Sequence, residues 1–114
     1  MIKIKLTHLQ LGVFITSLEN ILEIQQKKKQ NLRTDTTEYL FLSAEQEILE
    51  QLKMKLQKKY IDRKKNYSLL LLQIHALLLL KYKDDYLLLL AEHPYFQNEA
   101  QLFTNEVHFQ LLNK

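Results

Sequence analysis

Residues 66–90 have the sequence NYSLLLLQIHALLLLKYKDDYLLLL, and the three runs of four leucines in it bear most directly on the fold. The runs are Leu69–Leu72, Leu77–Leu80 and Leu87–Leu90. A helix that is apolar around its whole circumference must be buried on all sides. The stretch therefore predicts one helix at the centre of a helical core or of an oligomer. His93-Pro94 predicts its end, because the residue before proline avoids the α region.

Four charged residues, Lys81, Lys83, Asp84 and Asp85, interrupt the leucine runs. Lys81 can pair with either aspartate on a helix, since the two lie three and four residues further along the chain. The interruption predicts one of two features. It is either the point where the central helix emerges from the core or a break between two shorter helices.

The composition favours a single, mainly helical domain over residues 1–114. The chain has 114 residues, of which 46% are hydrophobic, and this is enough for one core. One glycine and one proline argue against an all-β fold, whose turns depend on these residues. The absence of cysteine excludes disulfides, thiolate metal sites and thiol nucleophiles. We therefore predict a compact bundle of four helices.

Capping residues and apolar periodicity predict the three helices that surround the central one. Thr7 and Gln10 form a capping box for the first helix, and Ser43 and Gln46 form one for the second. Asn98 caps the last helix. The apolar stripes at helical spacing are Leu11/Phe14/Ile15/Leu18/Leu22, Leu49/Leu52/Leu56/Tyr60 and Phe96/Ala100/Phe103/Val107/Leu111.

The first residues of the chain alternate in the manner of a strand, with apolar side chains at even positions between Lys3 and Lys5. The alternation favours a short two-stranded β-ribbon that pairs residues 2–6 with about 66–70. Residues 4–10 also align with 67–73, which indicates either two copies of a strand-helix-helix unit or chance similarity between leucine-rich segments. Residues 39–42 fit a third strand or an extra helical turn equally well.

The segment 53–65 carries seven basic residues and a single acid, Asp62. Lysines aligned on a helix can follow a phosphate backbone, so this basic face is a candidate surface for nucleic acid. The candidate residues are Lys55, Lys58, Lys59, Arg63, Lys64 and Lys65. A solvated face is the favoured interpretation, because the chain has only two arginines and no aromatic residues alternate with these lysines.

No pattern in the chain predicts catalysis, a cofactor or a metal site. The four histidines, His8, His75, His93 and His108, lack partners at ligand spacing. With one glycine in the chain there is no phosphate-binding loop. We therefore expect a non-enzymatic protein with no catalytic, cofactor-binding or metal-binding residues and no small-molecule substrate.

The apolar segments are too short or too interrupted for a membrane protein. The longest uncharged stretch, residues 66–80, falls short of the ~20 apolar residues that cross a bilayer. Polar residues interrupt Leu9–Leu18, and no cleavage site for secretion follows it. We expect no membrane span and a cytoplasmic location. The Lys-, Leu- and Asn-rich, Gly- and Arg-poor usage is typical of an AT-rich bacterial or phage gene.

The functional hypothesis follows from the central helix, because three short neighbours would not cover it fully. A homodimer is expected to bury the remaining leucines, since large exposed apolar patches mark interfaces. The first hypothesis is therefore a protein–protein interaction or assembly module that acts through an apolar helical surface on itself or on another protein. The alternative is a small nucleic-acid-binding accessory protein that uses the basic face of residues 53–65.

Overall fold

A computed structural model describes residues 2–113 and contains two strands and five helices in that range. In chain order they are β1 (Ile2–Thr7), α1 (His8–Gln30), α2 (Thr37–Ile61), β2 (Asn66–Leu71), α3 (Gln73–Lys81), α4 (Lys83–Leu89) and α5 (Pro94–Leu112). The predicted class, mainly α with a short two-stranded ribbon, is confirmed. The predicted number of four helices is wrong, because the leucine-rich segment is divided.

The two strands form an antiparallel ribbon whose ladder runs from the pair Ile2–Leu71 to the pair Thr7–Asn66. The predicted pairing of residues 2–6 with about 66–70 is confirmed. Side chains alternate strictly between the two faces of the ribbon. The buried inner face consists of Ile2, Ile4, Leu6, Tyr67, Leu69 and Leu71, and the exposed outer face consists of Lys3, Lys5, Thr7, Asn66, Ser68 and Leu70.

The prediction of one central leucine-rich helix is wrong. The run Leu69–Leu72 forms the end of β2 and the residue that precedes α3, while the second and third runs lie mainly in α3 and α4. A run of four leucines has no period, so it fits a strand as well as a helix. Of the two interpretations of the charged interruption, the break between shorter helices is confirmed, and it falls at the buried Tyr82.

The capping box at the start of α1 is confirmed. The Gln10 N–H donates to Thr7 Oγ1 over 3.2 Å, and the Thr7 N–H donates to Gln10 Oε1 over 3.0 Å. Both partners lie at the end of the ribbon, so the cap sets the angle at which the chain leaves β1 and enters α1.

Two other predicted helix starts are wrong. Ser43 lies inside α2, which begins earlier because Thr36 accepts the Tyr39 N–H over 3.2 Å; residues 39–42 are consequently helical. Asn98 lies inside α5, whose first residue is Pro94. Proline suits that position, because its ring presets the helical φ and its missing N–H would have had no helical partner.

The two strands and the starts of the helices that follow them repeat with an offset of 65 residues, and the ladder register places an approximate two-fold axis through the pair Ile4–Leu69. Ile2 pairs with Leu71 and Leu6 with Tyr67, and each residue of β1 is 65 positions before its symmetry equivalent in β2. The predicted alignment of 4–10 with 67–73 has an offset of 63 residues and therefore differs by two from the offset in the structure. The same offset relates buried residues of α1 to those of the second half, namely Leu11/Ala76, Val13/Leu78, Phe14/Leu79, Ser17/Tyr82, Ile21/Tyr86 and Gln25/Leu90.

The helix contacts follow this relation only in part. α2 packs against α1 and also contacts α3, whereas α5 packs against α1, α3, α4 and β1. Both helices that directly follow a strand contact the ribbon. The inner face of the ribbon and the inner stripes of the helices therefore form one continuous core.

The adjacent residues Leu69 and Leu70 provide a test of the ribbon, since they belong to the same leucine run but are 2% and 57% exposed. We expect Leu69→Ala to lower the free energy of unfolding by ~2–5 kcal/mol, as for other buried leucines. Leu70→Ala is the matched control and should change it by only about 0.5 kcal/mol. Urea denaturation followed by circular dichroism measures both, and equal losses would contradict the strand alternation.

Candidate nucleic-acid interface

The outer face of the ribbon presents polar and basic side chains to solvent. Its ladder pairs are Lys3–Leu70, Lys5–Ser68 and Thr7–Asn66, and all six residues are exposed. The face spans six residues of each strand, which corresponds to about 20 Å at ~3.4 Å per residue. We call this two-stranded outer face the ridge; it has hydrogen-bonding groups along most of its length and is bordered by Gln110 of α5 and by Lys55 and Lys59 of α2.

The six basic residues predicted from the sequence lie beside this ridge or close to it. Lys55 and Lys59, on the last turns of α2, border a small depression with Leu69–Leu71 of β2. Lys58 is exposed on the same part of α2. Arg63, Lys64 and Lys65 are exposed in the connection that leads into β2.

Sequence reasoning missed two members of the surface, Lys3 and Lys5, although the alternation that predicted β1 also places them on its outer face. With these two and the six predicted residues, eight basic residues form what we call the basic face. Within residues 2–113 none of the eight forms an ion pair with Asp or Glu. Lys53 differs, because its ammonium is 2.9 Å from the Glu50 carboxylate. The charges of the basic face are therefore not neutralised by neighbours.

Gln110 of α5 holds the free edge of β1. The Lys3 N–H donates to Gln110 Oε1 over 3.0 Å, and Gln110 Nε2 donates to the Lys3 carbonyl oxygen. The backbone N–H and carbonyl group of Lys3 at this edge thus have hydrogen-bond partners, while the Lys3 side chain is exposed to solvent. The sequence contained no signal for this contact, which joins residues 107 positions apart.

A cluster of rings fixes the approach to β2. The His8 ring stacks on Tyr60 with centroids 4.1 Å apart, and His8 Nδ1 lies 3.0 Å from the Tyr67 hydroxyl. The Lys64 N–H donates to the same hydroxyl over 2.8 Å, and the Arg63 backbone has φ of 50°. Non-glycine residues adopt this left-handed conformation only when their surroundings impose it. The cluster therefore positions the basic connection relative to the ribbon.

The first turn of α3 lies at the opposite end of β2. Leu72, which precedes α3, has no side-chain oxygen, so the backbone N–H groups of this turn lack a side-chain cap. The Leu72 N–H donates to His75 Nδ1 over 3.2 Å. Burial and the nearby Lys55 ammonium lower the pKa of His75, in agreement with a neutral ring that accepts this bond. An uncapped helix N-terminus beside a lysine attracts an anionic group.

A second polar cluster, far from the ribbon along α1, is built around Glu45. Its carboxylate accepts hydrogen bonds from Lys81 Nζ over 2.6 Å, from the Tyr82 hydroxyl over 2.5 Å and from Gln25 Nε2 over 3.1 Å. Burial raises the pKa of Glu45, but the bonds and charge of its partners outweigh burial and leave it below the ordinary value. Burial and the same carboxylate raise the pKa of Tyr82 to about 12. The cluster holds α1, α2 and α3 together.

Among residues 2–113, no three His, Asp or Glu side chains are grouped closely enough to hold a metal ion. None of the helices in that range combines the length and hydropathy of a membrane span. No protein family, curated protein or solved structure matches the chain.

A third surface is the outward side of α5, where Tyr95, Leu102 and Phe109 are 61%, 51% and 62% exposed. They are seven residues apart and therefore lie on one side of the helix, away from the buried Ala100 and Phe103. α5 is consequently apolar on two sides. Glu99 and Glu106 lie beside the stripe on the same side of the helix, so the stripe is an apolar seam with an acidic border.

The Glu45 cluster yields a pH-dependent stability. Because the pKa of Glu45 is lower in the folded protein, its stabilisation is complete above the ordinary value of 4.5 and is lost as the pH falls through the folded-state pKa. We expect Glu45→Gln to lower the melting temperature at pH 7 and to lose less stability than the wild type on acidification below pH 4.5. Thermal unfolding between pH 7 and pH 3 measures both effects.

Glu23→Gln is the control for this experiment, since Glu23 is an exposed carboxylate that pairs only with Lys27 over 3.5 Å. Exposed pairs contribute little to stability, so the control should behave like the wild type. An unchanged melting temperature for Glu45→Gln at pH 7 would show that the cluster is not stabilising.

Proposed function

We propose that the protein binds duplex DNA by inserting the outer face of the ribbon into the major groove. The observation that carries the proposal is the strict alternation of buried and exposed side chains along both strands. It places polar and basic side chains on the ridge, namely Lys3, Lys5, Thr7, Asn66 and Ser68. The major groove of B-form DNA is ~12 Å wide and ~8.5 Å deep, and it admits a two-stranded β-ribbon.

The rest of the basic face supports the same mode of binding. A ribbon in the groove places flanking groups near the two phosphate backbones, and phosphate contacts fix the register of a protein on DNA. Lys55 and Lys59 lie beside β2. Lys64 and Lys65 lie at one end of the ribbon, and the uncapped first turn of α3 lies at the other end. Both ends of the ribbon thus offer groups that favour a phosphate.

As in the hypothesis drawn from residues 53–65, the protein binds nucleic acid, but the main binding element is the ribbon and not α2. In this arrangement α2 supplies phosphate contacts, and the ribbon supplies contacts to base edges. The function is non-enzymatic and requires no cofactor, and a cytoplasmic location belongs to the same proposal.

Removal of the two ribbon lysines tests the proposal. We expect Lys3→Ala/Lys5→Ala to weaken binding to duplex DNA on the order of tenfold or more while the slope of log Kd against log salt stays nearly unchanged, because these lysines contact base edges and α2 supplies the phosphate contacts. Fluorescence anisotropy with labelled duplexes between 50 and 200 mM salt measures both quantities, and these concentrations span the range where the phosphate term changes strongly, by up to ~10⁵.

The matched control is Lys27→Ala/Arg33→Ala, which removes the same net charge from two exposed residues outside the basic face. Its affinity and salt slope should stay close to those of the wild type. Reversal of Lys55, Lys58 and Lys59 to Glu should abolish binding by placing acids beside the backbone. If the two double variants weaken DNA binding equally, net charge alone accounts for the interaction, and the proposed role of the ribbon is contradicted.

A second candidate function, self-assembly, is supported by the outward stripe of α5. We propose that two copies pack their α5 helices against each other through Tyr95, Leu102 and Phe109, because side chains seven residues apart form a continuous packing seam. A homodimer with a two-fold axis would bury the same stripe in each copy. The two functions are compatible, since the stripe and the basic face share no residues.

Light-scattering mass on a sizing column tests the assembly. We expect a dimer for the wild type and a monomer for Leu102→Ser/Phe109→Ser, because polar side chains remove the packing seam. The control Leu88→Ser/Leu89→Ser alters two other exposed leucines, 73% and 52% exposed, and should remain dimeric. A monomeric wild type contradicts the assembly but leaves DNA binding untouched.

A further inference from the structure

The outer face of the ribbon does not obey the two-fold symmetry of its backbone. The axis through Ile4–Leu69 relates Lys3 to Ser68 and Lys5 to Leu70, and the same offset relates Thr7 to Leu72. No related pair on this face has the same chemistry. The inner face does keep its chemistry, since every related pair there is apolar.

We infer that the target of the ribbon is a non-palindromic B-form DNA sequence, in which Leu70 lies against the methyl group of a thymine. The inference rests on the proposed DNA binding. A palindrome would present identical base edges to unlike side chains in its two halves, so one half would always be matched poorly. A sequence with different halves can suit both sides of the ridge.

The chemistry of the individual positions leads to the thymine. Leu70 is 57% exposed on the ridge, and it cannot turn inward because the strand places the buried Leu69 and Leu71 on the inner face. Among the groups that distinguish the four bases in the major groove, the C5-methyl of thymine is the apolar one, and the others are hydrogen-bond donors or acceptors. Leucine against any polar edge would leave that edge without a partner, which is unfavourable.

The lysines of the ridge favour a different base. Lysine donates to the N7 and O6 acceptors of guanine, which is among the common specific contacts in the major groove. Lys3 stands opposite Leu70 on the ladder, and Lys5 stands opposite Ser68. The ridge therefore requires guanine near the lysines and thymine under Leu70, an arrangement that its own two-fold relation does not repeat.

Selection from a pool of random duplexes, followed by base-analogue substitution, tests the inference. The stretch of the selected sequence that one ribbon contacts should be non-palindromic, and a dimer would repeat that stretch as two inverted half-sites. Replacement of its thymines by deoxyuridine, one at a time, should weaken wild-type binding about fourfold at one position, the effect of losing one buried methyl contact. Leu70→Ala should bind the thymine and deoxyuridine duplexes equally, while the control Leu88→Ala should retain the wild-type preference.

The outcomes separate the inference from the proposed function. A palindromic contact stretch under a single ribbon, or tight duplex binding that is insensitive to every thymine methyl, would falsify the inference and leave DNA binding intact. Absence of duplex binding overturns both. Equal affinity for duplex RNA also overturns both, because the deep, narrow major groove of A-form RNA does not admit the ribbon.

Discussion

The antiparallel pairing of β1 with β2 is the interaction on which the rest of the structure depends. It joins residues 2–7 to residues 66–71. The pairing therefore closes a long loop that contains α1, α2 and the connection between them. A two-stranded ribbon alone is marginal in water and needs a packed face. That face is supplied by α1 and α3, which begin at the two ends of the ribbon. Ribbon and helices consequently stabilise one another.

The same pairing creates the basic face. In a strand, each side chain that enters the core forces its neighbours out, so burial of Ile2, Ile4 and Leu6 places Lys3 and Lys5 in solvent. A ribbon also leaves two free edges, which are prone to pair with other strands. Gln110 occupies one edge by bonding the Lys3 backbone, and Lys55 and Lys59 lie beside the other. The ridge therefore remains open on its outer face only.

The sequence predicts those features that depend on neighbouring residues. The alternation of Ile2, Ile4 and Leu6 predicted β1, and the Thr7–Gln10 pair predicted the start of α1. The leucine runs were misjudged, because a run without period carries no information on strand or helix. Ser43 and Thr36 are both competent caps, and only packing against α1 decides between them. Six of the eight residues of the basic face were recognised in the charged segment 53–65.

The remaining two residues, Lys3 and Lys5, could be assigned only from the fold, since they are separated from segment 53–65 by about fifty residues and join it only through the ribbon. Contacts of this kind have no local pattern. The Lys3–Gln110 bond and the His8–Tyr67 contact span 107 and 59 positions, and both position the site. A sequence pattern can therefore identify the charged residues, whereas their assembly into one surface depends on pairings between distant segments.

The two-fold relation constrains the inner and outer faces differently. In the core, equivalent positions of the two halves carry mostly apolar side chains. Ser17 and its equivalent Tyr82 depart from this pattern, and both polar groups are hydrogen-bonded: the Ser17 hydroxyl donates to the Val13 carbonyl oxygen of its own helix, and the Tyr82 hydroxyl donates to the Glu45 carboxylate. Outside, solvent accepts any polar side chain, so stability does not account for lysine at one position and leucine at its equivalent. Leu70 is 57% exposed and borders a depression with Lys55 and Lys59, so packing within the protein uses only part of its side chain. The asymmetry of the outer face is therefore the feature that the proposed contact with DNA would explain.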